Sequence, residues 1–210
     1  MGTRLLLARH GQTEWHAENR YAGSSEVALT ATGLEQAEDL AVFLAARPER
    51  DRPVALYCSP QDRARRTAAP AARALGLSPE IVDDLREVHF GIAEGRTRAE
   101  LRETDPEAVA AFLGDPVGGA FPGAEPPEKA ADRGAAALRA IADREHAGPV
   151  LVVAHNTLIR LTLCRLLGIP LATYRTVFPR LENAALTELS LHGDDTSLLR
   201  FNQSTARTRY

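Results

Sequence analysis

The chain has 210 residues, 44% of them hydrophobic, a net charge of −3, a pI of 6.1 and a mean hydropathy of −0.22. A chain this long can bury roughly 70% of its unfolded surface, enough for one domain carrying an insertion. A faintly acidic balance provides no field to gather nucleic acid, and no apolar run approaches the ~20 residues that cross a bilayer.

The N-terminus enters directly on a strand pattern rather than a secretory leader, which reads as a soluble, cytoplasmic protein with neither nucleic acid nor membrane as partner. A homodimer is left open. One lysine, Lys129, stands against 24 arginines among the 25 basic residues, a bias that warns against reading every arginine as a ligand. Cys58 and Cys164 are isolated in apolar settings and read as two buried thiols.

In chain order, Arg4 to Ala8 is an apolar run of the kind buried on both faces of a parallel sheet, and it ends in Arg9-His10-Gly11. Gln12 to Ala28 is a long polar loop, and loops of that length inside a compact domain are commonly functional. Thr30 or Thr32 can cap a helix reaching Ala46, with Leu34, Ala37, Leu40, Ala41 and Leu44 on one face. Val54 to Cys58 is a second strand leading into Ser59-Pro60-Gln61-Asp62-Arg63. Asp62 is a candidate cap for a helix over Arg63 to Leu75, in which Pro70 predicts a kink or an early end. Ile81 and Val82 form a short strand before Leu85 and Glu87.

From Ile92 to Gly148 the composition shifts. Short helical pieces at Arg98 to Glu103 and Pro106 to Leu113 precede a Gly/Pro-rich bend, and a longer helix follows with Ala131, Ala135, Leu138 and Ile141 on one face. This block, 92–148, is longer than a crossover needs and reads as a cap inserted into a single domain. Val150 to Ala154 is another strand, ending in His155-Asn156. A helix from Asn156 to Leu167 closes at Gly168, and two last strands fall at Ala184 to Leu191 and Ser197 to Asn202.

Three strands therefore end in Arg9/His10, Arg63 and His155. In open α/β sheets ligands bind at the carboxyl edge of the strands. Two imidazoles and two guanidiniums gathered there would hold an anion, and phosphate suits the planar fork of arginine. Arg9-His10-Gly11 resembles the signature of the histidine phosphatase superfamily, the phosphoglycerate-mutase-like proteins. The resemblance continues through Arg20, Gly23, Leu29-Thr30, Gly33 and Gln36-Ala37. It extends to Ser59 through Ala68, to Leu85 through Gly91 with Glu94-Gly95, and to His155 with Ile159-Arg160. Pro122-Gly123-Ala124-Glu125 is similar to a pattern in the family's substrate-selecting insertion.

That resemblance implies a three-layer α/β/α fold with a mostly parallel sheet and an α-helical cap. It implies a phosphomonoesterase acting on a small-molecule phosphate ester through a phosphohistidine on His10. Arg9, Arg63 and His155 would grip the phosphoryl oxygens, and Glu87, with Glu94 as the neighbouring carboxylate, would pass a proton to the leaving group. His16, Asn156, Thr30 and Ser24 are further candidate substrate contacts.

Mutases have Asn where this chain has His16 and Gln where it has Ala22, and the cap lacks their Arg-Arg pair. A cofactor-dependent mutase is therefore the second reading, and a silent phosphate-binding module the third. Asn156 replaces the glycine common in the family. Neither metal nor cofactor is implied, since HxH, HExxH, cysteine clusters, Walker A and GxGxxG patterns are all missing from the sequence.

Overall fold

The computed structural model describes residues 2–207. Six strands make one mixed sheet in the order β3-β2-β4-β1-β5-β6. They are β1 (Thr3–Arg9), β2 (Ala55–Cys58), β3 (Pro79–Ile81), β4 (Val150–Ala154), β5 (Leu186–His192) and β6 (Asp195–Gln203). β3, β2, β4 and β1 run parallel, β5 pairs antiparallel with β1, and β6 pairs antiparallel with β5. β4 enters between β1 and β2, although they precede it in the chain. Arg9 stands beside Ala154, and Cys58 beside Val153. The carboxyl ends of three strands, distant in sequence, are thus brought side by side.

The pleat divides the apolar runs between two cores. Leu6, Ala8, Leu56, Cys58, Leu151 and Val153 face α1 (Ala31–Ala45) and α2 (Asp62–Leu75). Leu5, Leu7, Tyr57, Val150 and Val152 face α5 (Pro127–Arg144) and α6 (Asn156–Leu167). These layers make the α/β/α fold anticipated from the sequence. Cys58 and Cys164 are free, fully buried and on opposite cores; burial pushes each thiol up to about 11. Among the described residues no helix is long and apolar enough to cross a membrane.

The segment 92–148 divides in two. Its long helix, α5, lies on β1 and β5 and along α6 as a layer helix rather than a cap. Its small residues explain this: a Cβ on Gly134 would stand 2.1 Å from Thr162 Oγ1, so glycine permits the approach of α6. The remainder, α3 (Arg98–Thr104), α4 (Pro106–Gly114) and the bend after them, sits over Tyr21, whose ring meets Phe90, Phe112 and Phe121 at centroid distances of 5.1–6.2 Å.

Two local expectations differ. Gln61, not Asp62, is the N-cap of α2, and Asp62 is its first helical residue. α2 also continues through Pro70, whose ring is buried in the layer, so packing outweighs the lost hydrogen bond. A four-residue helix, α7 (Tyr174–Val177), had no signal in the periodicity.

Thr30 caps α1, accepting from the Gly33 N–H at 3.0 Å, and its hydroxyl donates to Gln12 Oε1 at 2.9 Å. Gly33 itself lies where a Cβ would be 2.0 Å from the Gln12 carbonyl oxygen. Thr30→Ala should cost about 1 kcal/mol, and Gly33→Ala several times more because only backbone movement can relieve the contact. Urea denaturation of both variants checks this order; equal losses would mean that the loop yields easily.

Candidate active site

The nucleophile candidate follows β1 directly. The His10 N–H donates to the Ala154 carbonyl at 3.0 Å, and the Ser59 N–H to that of Val153 at 3.0 Å, so both extend the sheet ladder past its last paired residues. His10 Nδ1 donates to its neighbour's carbonyl, Gly11 O, at 2.8 Å. This holds the proton on Nδ1 and leaves Nε2 with its lone pair. The His10 and His155 ring centroids are 5.1 Å apart, and those of His10 and His16 are 5.9 Å apart. Burial, then the charges of Arg63 and Arg9, push His10 well below the usual histidine range, so it is neutral at pH 7.

Arg9 is half-buried and Arg63 fully buried, neither with a carboxylate within ion-pair distance among the described residues. Arg9 donates to the Leu181 carbonyl at 2.6 Å and to His16 Nε2. Arg63, fully buried, donates to the carbonyls of Ser25, Ala22 and Gly23 at 2.7–2.9 Å. Burial draws Arg9 down to about 10 and also lowers Arg63, yet both stay charged at neutral pH. His155 is fully buried; Ser59 Oγ lies 2.7 Å from its Nε2. With the hydroxyl donating there, the proton sits on Nδ1.

Arg9 Nε, Arg63 Nε and His155 Nδ1 are all buried with no partner. Each unmet donor costs about 1–3 kcal/mol.

Glu87 is held at the N-terminus of α6. Oε1 accepts from Val88 N and Leu158 N at 2.9 and 2.8 Å, and Oε2 from Thr157 N at 3.0 Å. A carboxylate oxygen has two lone pairs, so Oε1 is filled and Oε2 keeps one position free. Glu94 is engaged elsewhere: it accepts from Phe90 N, Ser24 N and the Ser25 hydroxyl. It thereby ties the loop after Tyr21 to the segment carrying Glu87.

A cleft of about 230 Å³ opens over these groups, lined among others by Arg9, His10, His16, Glu87, Asn156, Arg160 and Arg175. The expected residues Arg9, His10, Glu87, His16 and Asn156 therefore meet at one place, with Arg63 and His155 buried close enough for Arg63 to depress both His10 and His155. Asn156 Oδ1 is buried and unpartnered.

Thr30 and Ser24 do not line the cleft. Thr30 is spent on the α1 cap, and exposed Ser24 gives its N–H to Glu94. His16, expected as a phosphate donor, instead accepts from Arg9 at Nε2, while its Nδ1 meets Thr13 at 2.8 Å. Burial and Arg9 pull it down to about 4.

Several contributing residues escaped the sequence reading. Gln61 donates to the Gly23 carbonyl at 2.6 Å and accepts from Glu87 N at 2.8 Å. Asn183 Nδ2 donates to the His10 carbonyl at 2.9 Å, and the Ala184 N–H to that of Arg9 at 2.9 Å. Ala184 takes φ 56°, an uncommon cost for a residue with a Cβ. Ser59 and Gln61 lie inside a motif and could have been weighed singly. Asn183, Ala184 and Arg175 belong to no motif or period.

The parallel strands of this mixed sheet end in a neutral imidazole beside guanidiniums that no carboxylate pairs among the described residues, an arrangement suited to holding an anion against a nucleophile. The chain belongs to the histidine phosphatase superfamily (branch 1), whose family model matches residues 5–204. It is 36% identical over 167 residues to the metal-independent phosphoserine phosphatase of Arabidopsis thaliana, covering 78% of this chain and 68% of that protein. It is 30% identical to a protein of Escherichia coli (O1:K1 / APEC) named "Probable phosphoglycerate mutase GpmB", covering 88% of this chain and 83% of that one. Among solved structures it superposes on the mycobacterial glucosyl-3-phosphoglycerate phosphatase Rv2419c with a TM-score of 0.86 and 29% identity, covering 97% of this chain and all (100%) of that one.

Because folding holds His10 and His155 neutral, the unfolded chain binds the extra protons as pH falls through about 6.5. Stability from these two groups is fully present above 6.5 and is lost below it. Histidine NMR of the free protein should show neither ring protonating at 6.5. Saturating phosphate, which offsets the arginine charge, should raise both midpoints. A free-protein midpoint at 6.5 for His10 would mean that the arginine field does not reach it.

Proposed function

We propose that this chain is a phosphoric monoester hydrolase acting on a small phosphorylated metabolite through a phosphohistidine on His10. The observation that carries this reading is a neutral His10 with Nε2 free, its ring 5.1 Å from that of His155 and within the field of Arg63 and Arg9, two guanidiniums that no carboxylate pairs among the described residues. The phosphatases among its relatives support the class of reaction.

His10 Nε2 attacks phosphorus while the P–O bond to the leaving group breaks. The leaving oxygen takes a proton from Glu87 Oε2, the oxygen with a free position. The resulting carboxylate then takes a proton from a water, whose oxygen attacks the phosphohistidine and frees phosphate and His10. Gly11 O holds Nδ1–H throughout, so the imidazole attacks from a set orientation. The arginines are in place before charge develops, so no reorganisation is needed in the transition state. His16 holds Arg9 through Nε2, and Asn156 borders the phosphoryl position.

α3, α4 and the bend after them act as the cap, with Arg98 reaching the cleft wall. The cleft is small enough to favour a metabolite over a macromolecule. A small-molecule ester of this kind fits a cytoplasmic enzyme.

Phosphate release from a panel of phosphomonoesters in EDTA should be measurable for the native chain. His10→Ala should lower it about a thousandfold or more. Glu87→Gln should cost about 10²–10⁴-fold with poor leaving groups and less with activated aryl esters. Release that survives His10→Ala would overturn the nucleophile. Phosphoryl transfer between phosphoglycerates in the presence of a bisphosphate primer, without hydrolysis, would favour the mutase reading. Phosphate binding without either reaction would favour a silent binding module.

A further inference from the structure

We propose that the cleft contains a second anion subsite formed by Arg98, Arg160 and Arg175, so that the ester cleaved at His10 carries a second negative group on a short skeleton. This deepens the hydrolase reading and rests on it.

The cleft has a strong excess of positive charge. Arg9, Arg20, Arg98, Arg160 and Arg175 line it, and Glu87 is its one carboxylate among the described residues. Arg9 belongs to the phosphoryl position, and Arg20 is paired with Glu18 and Glu100 at 2.7 and 2.8 Å. Arg98, Arg160 and Arg175 have no carboxylate within ion-pair distance among the described residues. Glu87 is already occupied by three backbone N–H groups.

Arginine richness leaves Arg65, Arg102 and Arg139 without an ion pair among the described residues as well, but none of these lines the cleft, where three such guanidiniums stand together. Even on open surface the chain pairs Arg66 with Asp62, Arg73 with Glu38, Arg144 with Glu80 and Arg165 with Asp132. The unpaired guanidiniums arrive from three separate elements, α3, α6 and α7, so local sequence does not cluster them.

Arg160 and Arg175 are also held in place, while Arg98 is exposed at the start of α3. The Arg160 guanidinium lies 5.3 Å from the Tyr174 ring centroid, with Nε donating to the Phe178 carbonyl at 2.7 Å. That of Arg175 lies 5.2 Å from the Phe112 centroid. Stacking on an aromatic face fixes the plane of the fork while leaving its N–H edge to a ligand. Arg160 is 6% exposed, and an unpaired buried charge is costly unless an anion meets it.

The cleft volume, about 230 Å³, falls below the range of roughly 300–1,000 Å³ usual for drug-sized ligands. Both anions must therefore sit on a compact molecule. A carboxylate and a further phosphate share the chemistry that three guanidiniums recognise.

Steady-state phosphate release with phosphoserine, a three-carbon bisphosphate and glycerol phosphate tests the subsite. The first two carry the second anion and glycerol phosphate does not. The native chain should prefer at least one charged-tail ester by about tenfold or more in kcat/KM, mainly through KM. The better of the two identifies the anion.

Arg175→Gln and Arg98→Gln, at half-buried and exposed positions that folding tolerates, should each erode that preference. The loss on the charged-tail ester should exceed that on glycerol phosphate by about tenfold for Arg175→Gln. Equal kcat/KM for all three esters, or a preference intact in both variants, would overturn the subsite while leaving the hydrolase in place.

If no ester is cleaved, the hydrolase reading fails and calorimetry decides the subsite separately. Tighter binding of phosphoserine or the bisphosphate than of glycerol phosphate, lost in Arg175→Gln, supports it. Equal binding of all three overturns it.

Discussion

Positive charge kept from water without a carboxylate partner is the constraint around which this protein is built. Half-buried Arg9 and fully buried Arg63 stand at the carboxyl edge of the sheet, held by main-chain carbonyls. Carbonyls orient a guanidinium without cancelling its charge, so the field survives and reaches His10 and His155. Carboxylates at bonding distance would stabilise the resting fold and weaken both the anion site and the nucleophile. The protein keeps instead a cluster of unmet donors whose cost is recovered when an oxyanion binds.

The scaffold around this charge is correspondingly tight. The loop after Tyr21 supplies three carbonyls to Arg63, and it is fastened by Glu94 and Gln61. A Cβ on Gly23 would lie 2.0 Å from Glu94 Oε1 and 2.3 Å from the Val88 carbonyl oxygen, so that fastening requires glycine. On the other side, Asn183 and Ala184 clamp the peptide of Arg9 and His10 from the turn leading into β5, at the cost of a left-handed Ala184. The proposed nucleophile, acid and anion donors are each fixed through groups drawn from different parts of the chain. A change in any fastener should therefore be felt at the others.

The layers follow from the order of the chain. Inserting β4 between β1 and β2 sets His155 beside both His10 and Ser59, and the same helix that follows β4 presents Thr157 and Leu158 to Glu87. One topological step thus supplies both the second imidazole and the seat of the proton donor. Of the cap elements, α3 contributes Arg98 to the cleft wall, while Phe112 and Phe121 support it from behind through Tyr21.

Much of this was legible in the amino-acid order. Strands buried on both faces declare themselves as unbroken apolar runs, and Arg9-His10, Arg63, Glu87 and His155 sit at strand ends or in spaced motifs, so the sheet, its active edge and the principal groups could be read directly. Thr30 shows the limit: a threonine before a helix can cap it or face a ligand, and only the hydrogen bond to Gly33 decides between these. α5 shows another, since an amphipathic helix does not announce which layer its apolar face will cover. His16 is a third, because neighbouring charge and burial convert an expected donor into an acceptor from Arg9. Sequence by itself determined the strand pattern, the family and the chemical types at the site, because these depend on local composition and spacing. Tertiary structure alone decided the course of α5, the roles of His16, Asn183 and Glu94, and the meeting of Arg98, Arg160 and Arg175. These depend on distances between segments that no local pattern encodes.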